Sequence, residues 1–176
     1  RVRQTRKAIT QLERHNAALR VRAFLSALSK DFPDGAIAGY CALGSELDVC
    51  PALKHFESAE RHIALPAIMD QNLIFRTFKT DDRLQENSFN TKEPGPHNPP
   101  CRPAVVLVPL LAFDLGLMRL GQGAGFYDRA LADLRMTGEV LTIGIAFDCQ
   151  KVEAIPAEPH DQRLDLVVTE QAVYRP

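Results

Sequence analysis

The chain has 176 residues, of which 45% are apolar and 24% are charged, the proportions of a soluble globular protein. This length suits one ordinary domain, so we expect a single domain over residues 1–176. The net charge of −1 argues against a general nucleic-acid binder, which would carry a strong basic excess. No apolar run reaches the ~18 residues that a membrane span needs, and no secretory signal pattern is present, so we expect a cytoplasmic protein without a membrane partner.

Two residue types have an informative distribution. Seven of the 21 basic residues lie within the first 22 positions, where they could meet an anionic ligand, although a solvated helix face is the commoner explanation. The cysteines form no Cys-x-x-Cys pair, so we expect free thiols in a reducing compartment and no zinc site. They are Cys41, Cys50, Cys101 and Cys149.

The predicted elements of the first half alternate between helices and strands. Residues 5–29 predict a helix, because apolar residues recur at helical spacing without glycine or proline. A strand is predicted over residues 36–42, followed by a helix that has Asp48 as its N-cap and ends near residue 60. Further strands are predicted over residues 62–65, ended by Pro66, and over residues 73–78.

The second half opens with a proline-rich segment over residues 79–103, for which we expect an ordered surface loop. The apolar run 104–108 predicts a central parallel strand that Pro109 ends. A helix over residues 126–135 and strands over residues 141–147 and 164–169 follow. This alternation predicts a three-layer α/β fold, Rossmann-like, with a mostly parallel sheet and helices on both faces.

The most informative motif is a run of three alternate glycines, Gly121, Gly123 and Gly125, between a predicted strand and a predicted helix. Glycine permits positive φ, so successive N–H groups can converge on an anion beside the positive helix N-terminus. Arg119 could add a fixed charge for phosphate. The run is neither a Walker A loop nor a dinucleotide fingerprint, and a turn that needs glycine only for packing fits it equally well.

Four polar residues could complete a site around this run. Asp128 could hold Mg²⁺ beside phosphates, or could simply stabilise the first turn of its helix. His160 and Asp161 lie in a late loop, where a carboxylate is usually just solvated. Glu46 follows the first predicted strand, where it could accept hydrogen bonds from ring N–H groups of a heterocycle or cap the next helix.

Taken together, these segments resemble the 5-formyltetrahydrofolate cyclo-ligase family, also called methenyltetrahydrofolate synthetases. The resemblance rests on residues 44–48, 89–94, 108–114, 119–128 and 144–170. It spans nearly the whole chain. Its most specific part is R-L-G-x-G-x-G-[FY]-Y-D at residues 119–128, followed by P-x-E-x-H-D at residues 156–161. The fold implied is the one that sugar-phosphate isomerases and CoA transferases also have.

The resemblance implies an ATP- and Mg²⁺-dependent ring closure. 5-Formyltetrahydrofolate would become 5,10-methenyltetrahydrofolate, with release of ADP and phosphate, in an enzyme that we expect to be a monomer. The formyl oxygen would take the γ-phosphoryl group before N10 attacks the activated carbon. A non-catalytic folate- or nucleotide-binding relative is the alternative, and it would bind ligand without releasing ADP.

The resemblance also implies roles for individual residues. Arg119 and Tyr127 would be catalytic, and Asp128 and Asp161 would hold Mg²⁺. The residues expected to line ATP are Arg119, Leu120, Gly121, Gln122, Gly123, Ala124, Gly125, Phe126 and Tyr127, with Arg3 and Arg6 as candidates from the first helix. The residues expected to line the folate are Cys41, Glu46, Gln122, Gly123, Ala124, Gly125 and Phe126.

Overall fold

A computed structural model describes residues 2–87, 89, 91–156, 158 and 160–176. The described residues exclude positions 1, 88, 90, 157 and 159. Position 1 belongs to the basic segment, and the other four belong to segments singled out above. The helices are α1 Val2–Ala8, α2 Gln11–Leu28, α3 Cys50–Ser58 and α4 Phe126–Thr137. The strands are β1 Ile37–Ala38, β2 Ile63–Met69, β3 Asn72–Phe78, β4 Leu84–Glu86, β5 Lys92–Pro94, β6 Val105–Pro109, β7 Ala112–Phe113, β8 Arg119–Leu120, β9 Leu141–Ile145, β10 Leu166–Val168 and β11 Val173–Tyr174.

Seven strands form the main sheet, in the order β11-β10-β9-β6-β1-β2-β3. The strands from β10 to β2 run parallel, and β3 and β11 pair antiparallel at the two edges. Successive side chains of a strand point to opposite faces, so Val105 packs in the core with α2 and α3, whereas Val106 packs in the core with α4. The fold is therefore three-layer α/β with helices on both faces of a mostly parallel sheet, as predicted.

The predicted helix over residues 5–29 is wrong at its start, because the chain forms two helices there. Thr10 caps α2: its Oγ1 accepts from the Glu13 N–H at 3.3 Å, and its own N–H donates to Glu13 Oε2 at 2.8 Å. This reciprocal pair is a capping box, which satisfies N–H groups at a helix start and separates α1 from α2. Residues 10–13 carry the S/T-x-x-E pattern of a capping box, a signal that the spacing of apolar residues does not include.

The prediction that Pro66 ends the second strand is also wrong, since β2 continues to Met69. Ala64 accepts from the Gly39 N–H, so the even-numbered residues of β2 turn their backbone groups towards β1. Because β1 ends at Ala38, the N–H that Pro66 lacks would have no strand partner. Two residues further on, the Ile68 N–H donates to Glu93 Oε2 at 2.9 Å, so a side chain takes the place of the missing strand.

Smaller corrections concern the other elements. The segment over residues 79–103 contains regular structure, because β4 pairs with β5 in a short antiparallel hairpin. The N-cap of α3 is Val49, and Asp48 instead accepts the Cys50 N–H through Oδ1 at 2.9 Å. The strands predicted over residues 36–42, 141–147 and 164–169 are shorter, at Ile37–Ala38, Leu141–Ile145 and Leu166–Val168. None of the described helices is long and apolar enough to span a membrane.

Candidate functional site

A cavity of about 520 Å³ opens above the carboxyl ends of the central strands. Ligands of open α/β sheets bind at this end of the strands. Residues 119–128 form one wall, residues 66–68 and the β4–β5 hairpin form the other, and residues 155, 156, 158, 160 and 161 lie at the rim. Cys41, Glu46, Asp128 and Asp161, which are far apart in sequence, all line this cavity.

The glycine segment, residues 121–125, leaves its backbone amides free. Among the described residues, no backbone or side-chain acceptor takes an N–H of this segment. Gly123 and Gly125 have φ of +96° and +65°, which side-chain-bearing residues rarely adopt. Gly125 is also the N-cap of α4, so the free amides lie beside the positive end of that helix. This arrangement suits an anion with several oxygens, such as a polyphosphate.

Arg119 ties the glycine segment to the rest of the site. Its Nη2 lies 2.7 Å from Asp128 Oδ1, and its Nη1 donates to the Gln162 carbonyl at 2.7 Å. The Gln162 N–H donates to the same Asp128 oxygen at 3.0 Å. Arg119 is only 7% exposed, so its guanidinium is held rigidly while its positive charge remains at the cavity wall.

Asp128 and Asp161 fit the requirements of Mg²⁺. Both hydrogen bonds to Asp128 end on Oδ1, and Asp161 uses Oδ2 to accept the Glu158 N–H at 2.8 Å. Each carboxylate thus keeps one oxygen without a hydrogen bond among the described residues. The described part of the chain holds no group of three or more His, Cys, Asp or Glu placed as a metal site. Mg²⁺ commonly takes one or two carboxylates and completes its shell with water and phosphate oxygens, which matches this pair.

Glu46 is a half-buried carboxylate at the base of the cavity. Its Oε2 accepts the Leu43 N–H at 2.9 Å, and its Oε1 lies 3.4 Å from the Gln122 Nε2 donor. Burial raises the pKa of Glu46, while the hydrogen bond from Leu43, the charge of Arg6 and the hydrogen bond from Gln122 lower it. Glu46 therefore presents an acceptor to the cavity, as its proposed contact with ring N–H groups requires.

Two further groups beside Glu46 stay neutral at physiological pH. Burial, followed by the nearby charge of Glu46, raises the pKa of Tyr127 far above its ordinary value. Burial likewise raises the pKa of the Cys41 thiol. Tyr127 can consequently act as a phenol that donates a hydrogen bond, and Cys41 as a weakly polar lining group.

The wall opposite the glycine segment contains residues to which the sequence assigned no role. The Phe89 ring meets the Phe126 ring edge-on, with centroids 5.6 Å apart and planes at 79°. Behind it, Glu93 is 7% exposed and accepts the Ile68 N–H at 2.9 Å and the Asn87 Nδ2 at 2.7 Å, both through Oε2. Both residues lie in segment 89–94, which is part of the family resemblance. That membership could have marked them as site residues, but the motif did not indicate what they contact.

Arg3 and Arg6 are placed differently from the other predicted site residues, because neither is among the residues that line the cavity. Arg3 Nη2 donates to Gln122 Oε1 at 2.9 Å. Arg6 is 5% exposed, and its Nε donates to Ser45 Oγ at 3.0 Å. Arg3 is thus bonded to the cavity-lining Gln122, and Arg6 reaches the cavity-lining Leu110 through its carbonyl oxygen, which accepts from Arg6 Nη1 at 3.4 Å; the nucleotide contact expected for both arginines stays a prediction.

Comparison with known proteins gives a consistent result. A model of the 5-formyltetrahydrofolate cyclo-ligase family matches residues 1–170. The 5-formyltetrahydrofolate cyclo-ligase of Escherichia coli (strain K12) is 29% identical over 180 residues, which cover 98% of this chain and 98% of that protein. The enzyme of the same name from Mycolicibacterium smegmatis is 31% identical over 179 residues, covering 94% of this chain and 88% of that protein. The NMR structure of Aquifex aeolicus 5,10-methenyltetrahydrofolate synthetase superposes with a TM-score of 0.83 at 28% identity, covering 99% of this chain and 88% of that chain.

Proposed function

The chain belongs to the 5-formyltetrahydrofolate cyclo-ligase family of ligases, and from that premise we propose that it closes 5-formyltetrahydrofolate to 5,10-methenyltetrahydrofolate at the expense of ATP. The observation that carries the proposal is the set of unbonded amides over residues 121–125, at the N-terminus of α4 and beside Asp128. A Cβ built on Gly121 or Gly123 would meet no atom within 4 Å, so close packing against protein does not explain glycine at either position. Free amides in an open cavity support an anionic ligand.

The proposed chemistry balances with one ATP per turnover. The formyl oxygen of the substrate attacks the γ-phosphorus, the bond to the β-phosphate oxygen breaks, and ADP leaves. The N10 lone pair then attacks the activated formyl carbon, N10 loses its proton to the departing phosphate, and the carbon–oxygen bond breaks so that phosphate leaves with the formyl oxygen. Such phosphoryl transfer depends on positioning and charge neutralisation, so the protein needs no Ser or Cys nucleophile.

The phosphate side of the cavity comprises residues 119–128. Amides of the glycine segment would hold the phosphate oxygens, and the charge of Arg119 would oppose the negative charge that builds up during transfer. Asp128 and Asp161 would hold Mg²⁺, which supplies further positive charge to the phosphates when bound. The nucleotide would lie along residues 119–127, where Leu120 and Phe126 offer apolar surface.

The folate side of the cavity combines apolar and acceptor groups. Glu46 would accept hydrogen bonds from the N–H groups of the reduced pterin, with Cys41 lining the same pocket. Gln122, Gly123, Ala124, Gly125 and Phe126 would face both ligands, because they separate the two sides. Tyr127, which stays protonated, would donate a hydrogen bond where the phosphate side and the folate side of the cavity meet and the formyl oxygen reacts. One chain forms all of these walls, so we propose that the monomer suffices for activity.

The test is an absorbance assay coupled to product analysis. Methenyltetrahydrofolate absorbs in the near ultraviolet, so purified protein with 5-formyltetrahydrofolate should produce a rise that requires both ATP and Mg²⁺. The ADP formed should equal the methenyltetrahydrofolate formed. Reactions lacking ATP, or containing a non-hydrolysable ATP analogue, are the controls. Binding of both ligands without ADP release would contradict the proposal and favour a non-catalytic relative.

A further inference from the structure

Two oppositely charged side chains, one lining the cavity and one outside its lining, have no ion-pair partner within salt-bridge distance among the described residues. Arg6, on α1, is 5% exposed and belongs to none of the ion pairs of the described chain. Glu46 is half-buried and belongs to none either. A buried charge without a counter-charge is costly, so the nearest opposite charge matters for both groups.

Arg6 is held firmly against the loop that carries Glu46. Its Nε donates to Ser45 Oγ at 3.0 Å, and its Nη1 donates to the Leu110 carbonyl at 3.4 Å. Ser45 directly precedes Glu46, so the guanidinium is bonded to the turn that carries the carboxylate, and Arg6 is not among the residues that line the cavity. Both of its hydrogen bonds go to neutral oxygens, which leave the positive charge uncompensated.

We propose that Arg6 is the buried counter-charge that keeps the Glu46 carboxylate ionised, and therefore able to accept ring N–H groups of the folate. This role deepens the proposed function and rests on it for the identity of the ligand. It differs from the nucleotide contact that the family resemblance suggested for Arg6. Arg6 acts through Glu46, so it is a positioning residue and does not touch either substrate.

The other groups that face Glu46 cannot replace Arg6. Gln122 and the Leu43 N–H are neutral donors. Tyr40 and Tyr127 both have their pKa raised, chiefly by burial and then by Glu46 itself, so they are uncharged at physiological pH. Arg3 reaches Glu46 only through the Gln122 amide. The charge of Arg6 lowers the pKa of Glu46 and opposes the effect of burial.

The chain offers a matched control for this role. Arg14, on α2, supports the same loop, because its Nη1 donates to the Ser45 carbonyl. Its guanidinium also lies over the Phe147 ring, 5.6 Å from the centroid. Arg14 is not among the charges that act on Glu46. Arg14 Nη2 also donates to the Arg6 carbonyl, so substituting Arg14 removes support from both the loop and α1 but leaves the Arg6 charge in place, and the ionisation of Glu46 should stay unchanged.

The experiment compares Arg6→Gln, Arg6→Lys and Arg14→Gln with the unmodified protein. The pKa of Glu46 is read directly by NMR titration of protein labelled with ¹³C in the Glu carboxyl groups, and Glu46→Gln identifies the signal. In Arg6→Gln the pKa of Glu46 should rise, because a favourable positive charge is lost. Arg6→Lys keeps the positive charge, so the pKa of Glu46 should stay as in the unmodified protein even if the bond to Ser45 is lost. In Arg14→Gln the pKa of Glu46 should likewise equal that of the unmodified protein.

Folate affinity gives the second readout. Binding of 5-formyltetrahydrofolate weakens as pH falls through the pKa of Glu46, and in Arg6→Gln this loss should begin at higher pH, reaching roughly tenfold at acidic pH. A raised KM for ATP with unchanged titration of Glu46 would overturn the proposal in favour of a nucleotide contact. Equal effects of Arg6→Gln and Arg14→Gln would overturn it in favour of simple loop support. The NMR titration needs no ligand, so failure of the unmodified protein to bind folate would refute the proposed function separately.

Discussion

Arg119 and Asp128 form an ion pair across the glycine segment, with Nη2 and Oδ1 2.7 Å apart. The pair joins the first and last residues of the 119–128 motif and clamps β8 to the start of α4, while the amides of residues 121–125 have no acceptor among the described residues. The same Asp128 oxygen accepts the Gln162 N–H, which brings the loop carrying Asp161 to the same place. One carboxylate thus organises the phosphate side of the cavity.

Asp128 should therefore be needed for both folding and Mg²⁺ use. Asp128→Ala leaves the Arg119 guanidinium without its partner, and we expect a loss of roughly 2 kcal/mol, below the ~3–5 kcal/mol of a fully buried pair because Asp128 is 21% exposed. Asp128→Asn keeps an acceptor for Gln162 but removes the charge opposite Arg119, so it should lose less stability in urea than Asp128→Ala. Both variants should lose Mg²⁺-dependent turnover. Near-normal kcat of Asp128→Asn at limiting Mg²⁺ would exclude the metal role.

Glu46 should impose a conflict between stability and function. Burial raises the pKa of Glu46 above its value in the unfolded chain, so the folded protein favours the protonated carboxyl. As pH rises through that pKa, Glu46 ionises and the free energy of unfolding falls. Glu46→Gln should therefore gain melting temperature relative to the unmodified protein as pH rises from 5 to 7.5, while loss of the charge opposite Arg6 lowers the stability of the variant at both pH values. The KM for folate should rise at least tenfold, an effect larger than that on the KM for ATP. Equal changes in the two KM values would remove Glu46 from the pterin pocket.

Glu93 should stabilise the wall that carries Phe89. Glu93→Ala deprives the Ile68 N–H and the Asn87 amide of their shared acceptor, at a cost of roughly 2–3 kcal/mol measured by urea unfolding. Glu93→Gln retains an acceptor and should lose less. The control is Glu86→Ala in the paired strand β4, where the side chain is exposed and we expect less than ~0.5 kcal/mol. A similar loss in both alanine variants would argue against a specific role of Glu93.

Arg135 should hold the late loop in place for Mg²⁺ binding. Its Nη1 donates to Gln162 Oε1 at 2.9 Å, and its Nη2 donates to the Arg163 carbonyl at 2.8 Å. Arg135→Met should loosen residues 160–165, seen as faster amide hydrogen exchange, and should raise the Mg²⁺ concentration needed for half-maximal rate about fivefold. The KM for folate should not change, because no contact of Arg135 leads to the pterin side.

Arg102→Met is the matched control for that change. Arg102 also supports α4, since it donates to the Leu134 carbonyl at 2.6 Å and to Thr137 Oγ1 at 3.0 Å, but neither bond leads to the late loop. This variant should lose some stability and keep its Mg²⁺ requirement. If both arginine variants changed the Mg²⁺ requirement alike, the effect would come from α4 as a whole.

Local patterns in the sequence were sufficient for much of the architecture. The β-branched run that became β6, the amphipathic helix α4 and the alternation of elements predicted a parallel sheet between helical layers, because these patterns reflect burial on one or both faces. Errors arose where a distant residue decided the outcome. Pro66 lies inside β2 because β1 ends beside it and Glu93 accepts the next free N–H, and neither fact is visible in the local sequence.

The candidate site was also predictable from the sequence only in part. The sequence by itself determined the glycine segment and its family, since positive φ at Gly123 and Gly125 demands that residue type and the motif around them is specific. Only the tertiary structure decided the contacts between distant segments: Arg6 bonds to Ser45 in the turn that carries Glu46, and the Phe89 ring packs against the Phe126 ring. Electrostatic and ring contacts depend on distance in space, and residues far apart in the sequence come close enough for such contacts only when the sheet assembles.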